Sequence, residues 1–185
     1  QDKIKTGAEN ISEYISLIKN KNVGIVANNA SMIFNGKKNI HLVDSLISLG
    51  VNIKKIFAPE HGFKGTHDAG EKINDQIEKK TKIEIISLYG KNKKPKSSDL
   101  KNIEILIFDL QDVGVRFFTY ISTLHYVMEA CAENNITLII LDRPNPNSHY
   151  IDGPVLNLIN RSFVGMHEVP IVYGMTIGEY AKMIN

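Results

Sequence analysis

Asp109-Leu110-Gln111-Asp112-Val113-Gly114-Val115-Arg116 sets two carboxylates, an amide and a guanidinium within eight residues. Carboxyl groups can move protons, amides can hold hydroxyl groups, and a planar guanidinium can grip an anion through paired hydrogen bonds. Comparable collections recur along the chain at Asn28-Asn29, at Pro59-Glu60-His61-Gly62 and at Asp142-Arg143-Pro144-Asn145-Pro146. Glu71 follows the glycine-containing stretch from Gly62 to Gly70, and Tyr120 closes the long polar segment. Each of these residues also has a plain structural reading. An Asp after a strand often caps the next helix, so Asp109 and Asp142 can be caps. Arg143 before Pro144 can be a turn residue tied to Asp142, His61 and Glu60 can satisfy each other, and Tyr120 can be core. Their arrival on four separate loops is what favours chemistry.

The motifs of several other chemistries are missing. No G-x-G-x-x-G follows Val23-Gly24-Ile25, and there is no P-loop, so nothing in the sequence is built to cradle a pyrophosphate. His61 and His67 are spaced around Gly62 and Gly65 in neither an H-E-x-x-H nor a Cys/His zinc pattern. Composition alone leaves open a metal set of Asp109, Asp112, His61 and Asp142, but no metal and no cofactor is expected. No serine occupies a G-x-S-x-G elbow, and the lone Cys131 falls mid-helix, which argues against acyl transfer. Carboxylate-driven work is what the remaining residues suit.

The elements that must position these residues are short apolar runs alternating with helical patterns. Strands are predicted over Val23–Ala27, Val51–Ala58, Glu84–Leu88, Ile103–Phe108 and Ile136–Leu141. Helices are predicted over Ile11–Lys19, over His41–Leu49 with Gly50 as the stop, and over Tyr120–Asn134. The strands are apolar throughout instead of alternating, as strands buried on both faces must be. The fold class predicted is therefore α/β: a Rossmann-like layered sheet, mainly parallel, with helices on both faces. In such a sheet ligands bind beyond the carboxyl ends of the strands, where the polar loops fall here.

Composition sets outer limits. With 43% hydrophobic and 23% charged residues in 185, the chain can bury one substantial core and is unlike a disordered tail. A net charge of +2 is too small for a nucleic-acid binder, and the basic run Lys91 to Lys96 lacks interleaved aromatics, so it reads as a solvated loop. No apolar stretch is long enough to span a bilayer. Cys131 lies beside Met128 and Ala132 on a helical pattern and reads as a small core residue. Thr176 and Glu179 form a predicted capping box opening a last helix, from which a C-terminal continuation past Asn185 is expected. Gln1 in place of Met suits a processed, exported protein.

Read in order, several segments form a recognisable series. They are Val23-Gly24-Ile25-Val26-Ala27-Asn28, Ala58-Pro59-Glu60-His61-Gly62-Phe63, Asp68-Ala69-Gly70-Glu71-Lys72 and Ser87-Leu88-Tyr89-Gly90. Phe108 to Tyr120, Leu141 to Pro146, Gly153-Pro154, Ser162 to Gly165 and Gly174-Met175-Thr176 complete it. The series resembles the NamZ-type exo-β-N-acetylmuramidases (YbbC-like proteins) over nearly the whole chain. The resemblance implies that residues 1–185 are a Rossmann-like N-terminal catalytic domain, followed in the family by a smaller auxiliary domain that this chain lacks. It implies a bacterial glycosidase of cell-wall turnover that releases terminal N-acetylmuramic acid from the non-reducing ends of peptidoglycan fragments. The implied setting is periplasmic or secreted, the implied partners muramyl saccharides and no nucleic acid. Two positions depart from the family pattern: Asn29, where Gln or His is usual, and Tyr173, where many members have His.

Glycoside cleavage needs an acid on one face of the sugar linkage and a base or nucleophile on the other, usually two carboxyl groups. Glu60 and Glu71 are the expected pair, with Asp109 or Asp112 as rivals for one role. N-acetylmuramic acid carries a lactyl carboxylate, which a guanidinium could select; Arg116 is preferred to Arg143, which has Asp142 beside it. His61, Asn28, Asn145, Tyr120 and Asp142 are expected to contact sugar. The competing readings are a glycan-binding module without turnover and a phosphosugar or nucleotide enzyme. The absent phosphate loop counts against the latter.

Overall fold

The computed structural model describes residues 4–34, 36, 38–60, 62–63, 76–77 and 81–185. In chain order the elements are α1 (Ile11–Ile18), β1 (Asn22–Ala27), β2 (Met32–Phe34), β3 (Asn39–His41), α2 (Leu42–Ser48), β4 (Asn52–Ala58), β5 (Gln76–Ile77) and β6 (Glu84–Ser87). They continue with β7 (Ile105–Asp109), α3 (Tyr120–Glu133), β8 (Thr137–Ile140) and α4 (Ile177–Ile184). The main sheet runs β5-β6-β4-β1-β7-β8 and is parallel apart from β5, which pairs antiparallel with β6. Every strand predicted from an apolar run forms.

Strand parity explains why those runs carry no polar alternation. Ile25 and Ala27 of β1 join Ile105 and Ile107 of β7 in one core with Tyr14 and Ile18 of α1 and Leu42 and Leu46 of α2. Val26 joins Leu106 and Phe108 in the other core, with Leu124 and Val127 of α3 and Tyr180 of α4. Each strand thus feeds two layers, and a polar residue at either parity would be buried without a partner. Gly24 belongs to this packing too, since a Cβ there would run into Leu106. Cys131 is buried within the α3 layer, and burial pushes its thiol up to about 12. It is core, as its sequence context indicates.

Helix ends follow local chemistry. His41 caps α2 by accepting from the Val43 N–H, and Gly50 takes a left-handed conformation (φ 77°) just past its end. The Thr176–Glu179 capping box forms at α4. One surface reading gains detail, since the solvated Lys91 to Lys96 loop also makes side-chain contacts. The lysine run is anchored, because Lys93 Nζ lies 4.1 Å from the centre of the Phe163 ring and Lys94 bridges Glu129 and Glu133 at 3.0 and 2.8 Å. The short antiparallel pair β2–β3 went unpredicted, because three-residue strands carry too little pattern to detect.

Candidate active site

Register brings the polar loops to one rim. Val26 pairs with Phe57 and Phe108, Ala27 with Asp109, and Phe108 with Ile140. The segments that follow, carrying Asn28, Glu60, Leu110 onward and Asp142, therefore leave the sheet side by side. Chain order reverses between β1 and β7, the crevice where open parallel sheets bind ligands. A hydrogen bond of 2.9 Å from Asn28 Nδ2 to Tyr120 Oη spans that switch point.

On the β7–β8 side the polar groups bind one another. Asp109 is fully buried, and its carboxylate receives Arg143 Nε at 2.7 Å and Nη2 at 3.0 Å. Burial raises the Asp109 carboxyl above its ordinary value, and the guanidinium works against that rise. Arg143 Nη2 also donates to the Met32 carbonyl. Among the described residues these bonds occupy both carboxylate oxygens of Asp109 and two of the three guanidinium nitrogens of Arg143, a structural pairing in place of the catalytic role expected of Asp109. Asp142 accepts from Thr176 Oγ1 at 2.7 Å and from the Gly178 N–H at 2.8 Å, so it is a cap for α4 contributed from another loop. Asn145 donates to the Met175 carbonyl, accepts from the Asn147 N–H and fills the space that a Cβ at Gly114 (φ 72°) would take. These commitments also remove Asp109 and Asp142 from the metal set that composition left open.

Asp112 and Arg116 are buried as well. Asp112 Oδ2 accepts from the Gly114 N–H at 2.8 Å and from Tyr173 Oη in a short hydrogen bond. Burial raises the Asp112 carboxyl above its ordinary value, and the Tyr173 hydroxyl opposes the rise. The Tyr that departs from the family pattern therefore keeps a working role as a donor that stays protonated, its own hydroxyl pushed up by burial and by Asp112. Arg116 Nη1 donates to the carbonyls of Val169 and Pro154 at 2.5 and 2.9 Å. Through Nη1 the guanidinium serves as a strut between loops, a use that the sequence reading of it as a grip for a substrate carboxylate did not include.

The β1–β4 side is different. A cleft of about 370 Å³ is lined by Glu60, Gln111, Val113, Phe117, Phe118, Thr119 and Tyr120, within the usual size of small-molecule sites. Glu60 is half-buried, and among the described residues Thr119 Oγ1 is the one group that hydrogen-bonds its carboxylate, at 3.2 Å. Burial raises the Tyr120 hydroxyl above its ordinary value, with the charges of Glu60 and Asp112 adding to the effect. A larger cleft of about 570 Å³ lies between α3, β8 and α4, but Ile136, Leu138, Ile140, Met128 and Cys131 dominate its lining, and its Asp142 is spent as a cap. The half-buried Glu60 carboxylate lies in the smaller one.

Sequence reasoning missed three contributors. Thr119 and Gln111 sit inside the polar segment already singled out, and their neighbours were the available signal. His41 holds the Asn28 carbonyl through Nε2 at 2.8 Å while Nδ1 accepts from Val43, a tautomer fixed by local geometry that no motif announces. His61 and Glu71 lie outside the described residues.

Comparisons with known proteins identify the family and the fold. The family described as "Exo-beta-N-acetylmuramidase NamZ, N-terminal" matches residues 23–185. The chain belongs to this NamZ family. It is 41% identical to the peptidoglycan beta-N-acetylmuramidase NamZ of Bacillus subtilis over 185 residues, which is 99% of this chain and 44% of that protein. Two crystal structures of DUF1343 family proteins from Bacteroides fragilis superpose with a TM-score of 0.85 each, at 43% and 39% identity. They cover 99% and 98% of this chain, which in turn spans 47% and 45% of theirs. The chain thus spans less than half the length of the relatives it matches, and the shared part is the α/β layer that carries the NamZ rim.

Proposed function

We propose that this chain carries the carboxylate site of an exo-acting glycosidase that removes terminal N-acetylmuramic acid from peptidoglycan fragments. The observation that carries the reading is Glu60, a half-buried carboxylate in a sugar-sized cleft at the sheet's switch point, oriented by Thr119 and faced by Tyr120. Family membership and the name of the Bacillus subtilis relative supply the substrate class. Glu60 is the proposed reacting carboxylate, with Glu71 as its partner on the opposite face of the linkage. Asp112 suits the partner role less well, because it is 3% exposed and held by Gly114 and Tyr173. A periplasmic or secreted location and a place in cell-wall turnover follow from that substrate.

A chromogenic β-N-acetylmuramide, run beside its glucosamine analogue, tests the reading. The muramide should turn over, and Glu60→Gln should lose at least about 100-fold in kcat, the scale of a missing acid or base, with Tm unchanged. Saccharide binding with no turnover by the wild type would establish a binding module instead.

A further inference from the structure

Phe117 and Phe118 are 54% and 53% exposed, adjacent in sequence, and both line the Glu60 cleft. Single exposed apolar residues are ordinary on protein surfaces; two adjacent exposed rings lining the same cleft as a half-buried carboxylate call for an explanation. The fold commits a buried charge to holding them. Phe118 N–H donates to the Val115 carbonyl at 2.9 Å and Arg116 N–H to the Ile171 carbonyl at 2.8 Å, closing the turn onto the segment behind it. Between them, Arg116 reaches inward to Val169 and Pro154, its Nε buried without a partner and its guanidinium 5.5 Å from the centre of the Phe117 ring. A buried arginine that meets only neutral carbonyls among the described residues is an expensive foundation for a turn whose outward product is two apolar rings.

A phenyl ring offers no hydrogen bond, so what it recognises is an apolar face. Glu60, Gln111, Thr119 and Tyr120 surround these rings with carboxylate, amide and hydroxyl groups. The matching ligand has a C–H face and a polar edge, which describes a pyranose ring. An acyl chain would leave that polar border without partners, and the glycosidase reading selects a sugar among ligands of mixed polarity. We propose that Phe117 and Phe118 form the platform for the sugar on the leaving side of the bond to be cleaved. The inference rests on the glycosidase reading. The side is assigned by depth: Glu60, Thr119 and Tyr120 are half-buried, whereas the two rings are the solvent-facing part of the lining. An exo-acting enzyme places the terminal sugar inside and the leaving sugar toward solvent.

The test uses the full chain and two muramyl substrates, the β-1,4 disaccharide with N-acetylglucosamine and muramyl fluoride, whose leaving group has no ring. Phe117→Ala and Phe118→Ala should each raise KM for the disaccharide about tenfold, a fraction of the stabilisation available from burying a phenyl ring. KM for the fluoride should stay within about twofold, and Phe→Tyr at either position should restore disaccharide binding, since the ring face is kept. Unchanged KM for the disaccharide, or equal losses on both substrates, would overturn the platform. A wild type that turns over neither substrate would sink the glycosidase reading by itself. The platform is then judged from the calorimetric Kd of the disaccharide, which the Ala variants must weaken for it to stand.

Discussion

The two halves of the rim hold the same residue types and use them in opposite ways. Between β7, β8 and α4, the side chains of Asp109, Arg143, Asp142 and Asn145 pair with one another, with the Thr176 hydroxyl or with backbone. Around β4 and the turn before α3, Glu60, Thr119 and Tyr120 face a cleft, with a single hydrogen bond on the carboxylate among the described residues. The contrast teaches that a polar residue at a strand end is no sign of function until its hydrogen-bonding capacity has been accounted for. The first half holds the loops in register; the second has capacity left for a ligand.

The comparison breaks most easily at Arg143. Arg143→Ala leaves the buried Asp109 carboxylate without its counter-charge, so unfolding stability should fall by about 3–5 kcal/mol. Denaturant titration measures this, and a loss below about 1 kcal/mol would mean that the pair is not the keystone of that half. Tyr173→Phe is the milder version, removing one donor from the buried Asp112 at a cost of about 1–3 kcal/mol. If the halves are as separate as they look, Tm drops in both variants, and saccharide binding at the Glu60 cleft persists below the new Tm.

The smallest effect sharpens the picture away from the rim. His167 Nδ1 lies 2.9 Å from Tyr180 Oη and its Nε2 lies 3.0 Å from His125 Nδ1, joining α3 to α4. Burial lowers His167 to about 4, with the charges of His125 and Arg161 adding to the shift, and burial lowers His125 as well. Glu129 opposes the shift at His125, while Arg161 and Lys94 reinforce it. The unfolded chain then binds protons at these histidines that the folded one refuses, so stability rises with pH across the window from about 4 to 6.5. Acidification through that window should lower Tm, and His167→Gln should flatten the slope.

The sheet was legible because burial on both faces writes itself as uninterrupted Val, Ile, Leu and Phe, and helix caps at Thr176 and Gly50 are local signals. That the loops share a rim followed from the same reading. What each rim residue does was not legible. Asp109 meets Arg143 across 34 residues and Asp142 meets Gly178 across 36, and no local pattern distinguishes an aspartate with such a partner from one without. Arg116 shows the limit most clearly. Its charge suggested a ligand, yet the carbonyls it serves lie 38 and 53 residues further along the chain.

That strut also ties two surface segments of the molecule together. The backbone and side chain of Arg116 both hold the segment from Pro154 to Ile171, while Asp152 and Val172 exchange backbone hydrogen bonds at its ends. A force applied to Phe117 or Phe118 is therefore shared with a strap that lines no part of the cleft. Cleft and strap thus share one set of hydrogen bonds, and exchange protection of the Asp152 and Val172 amides would gauge, at a distance, how firmly the turn beneath the two rings is held.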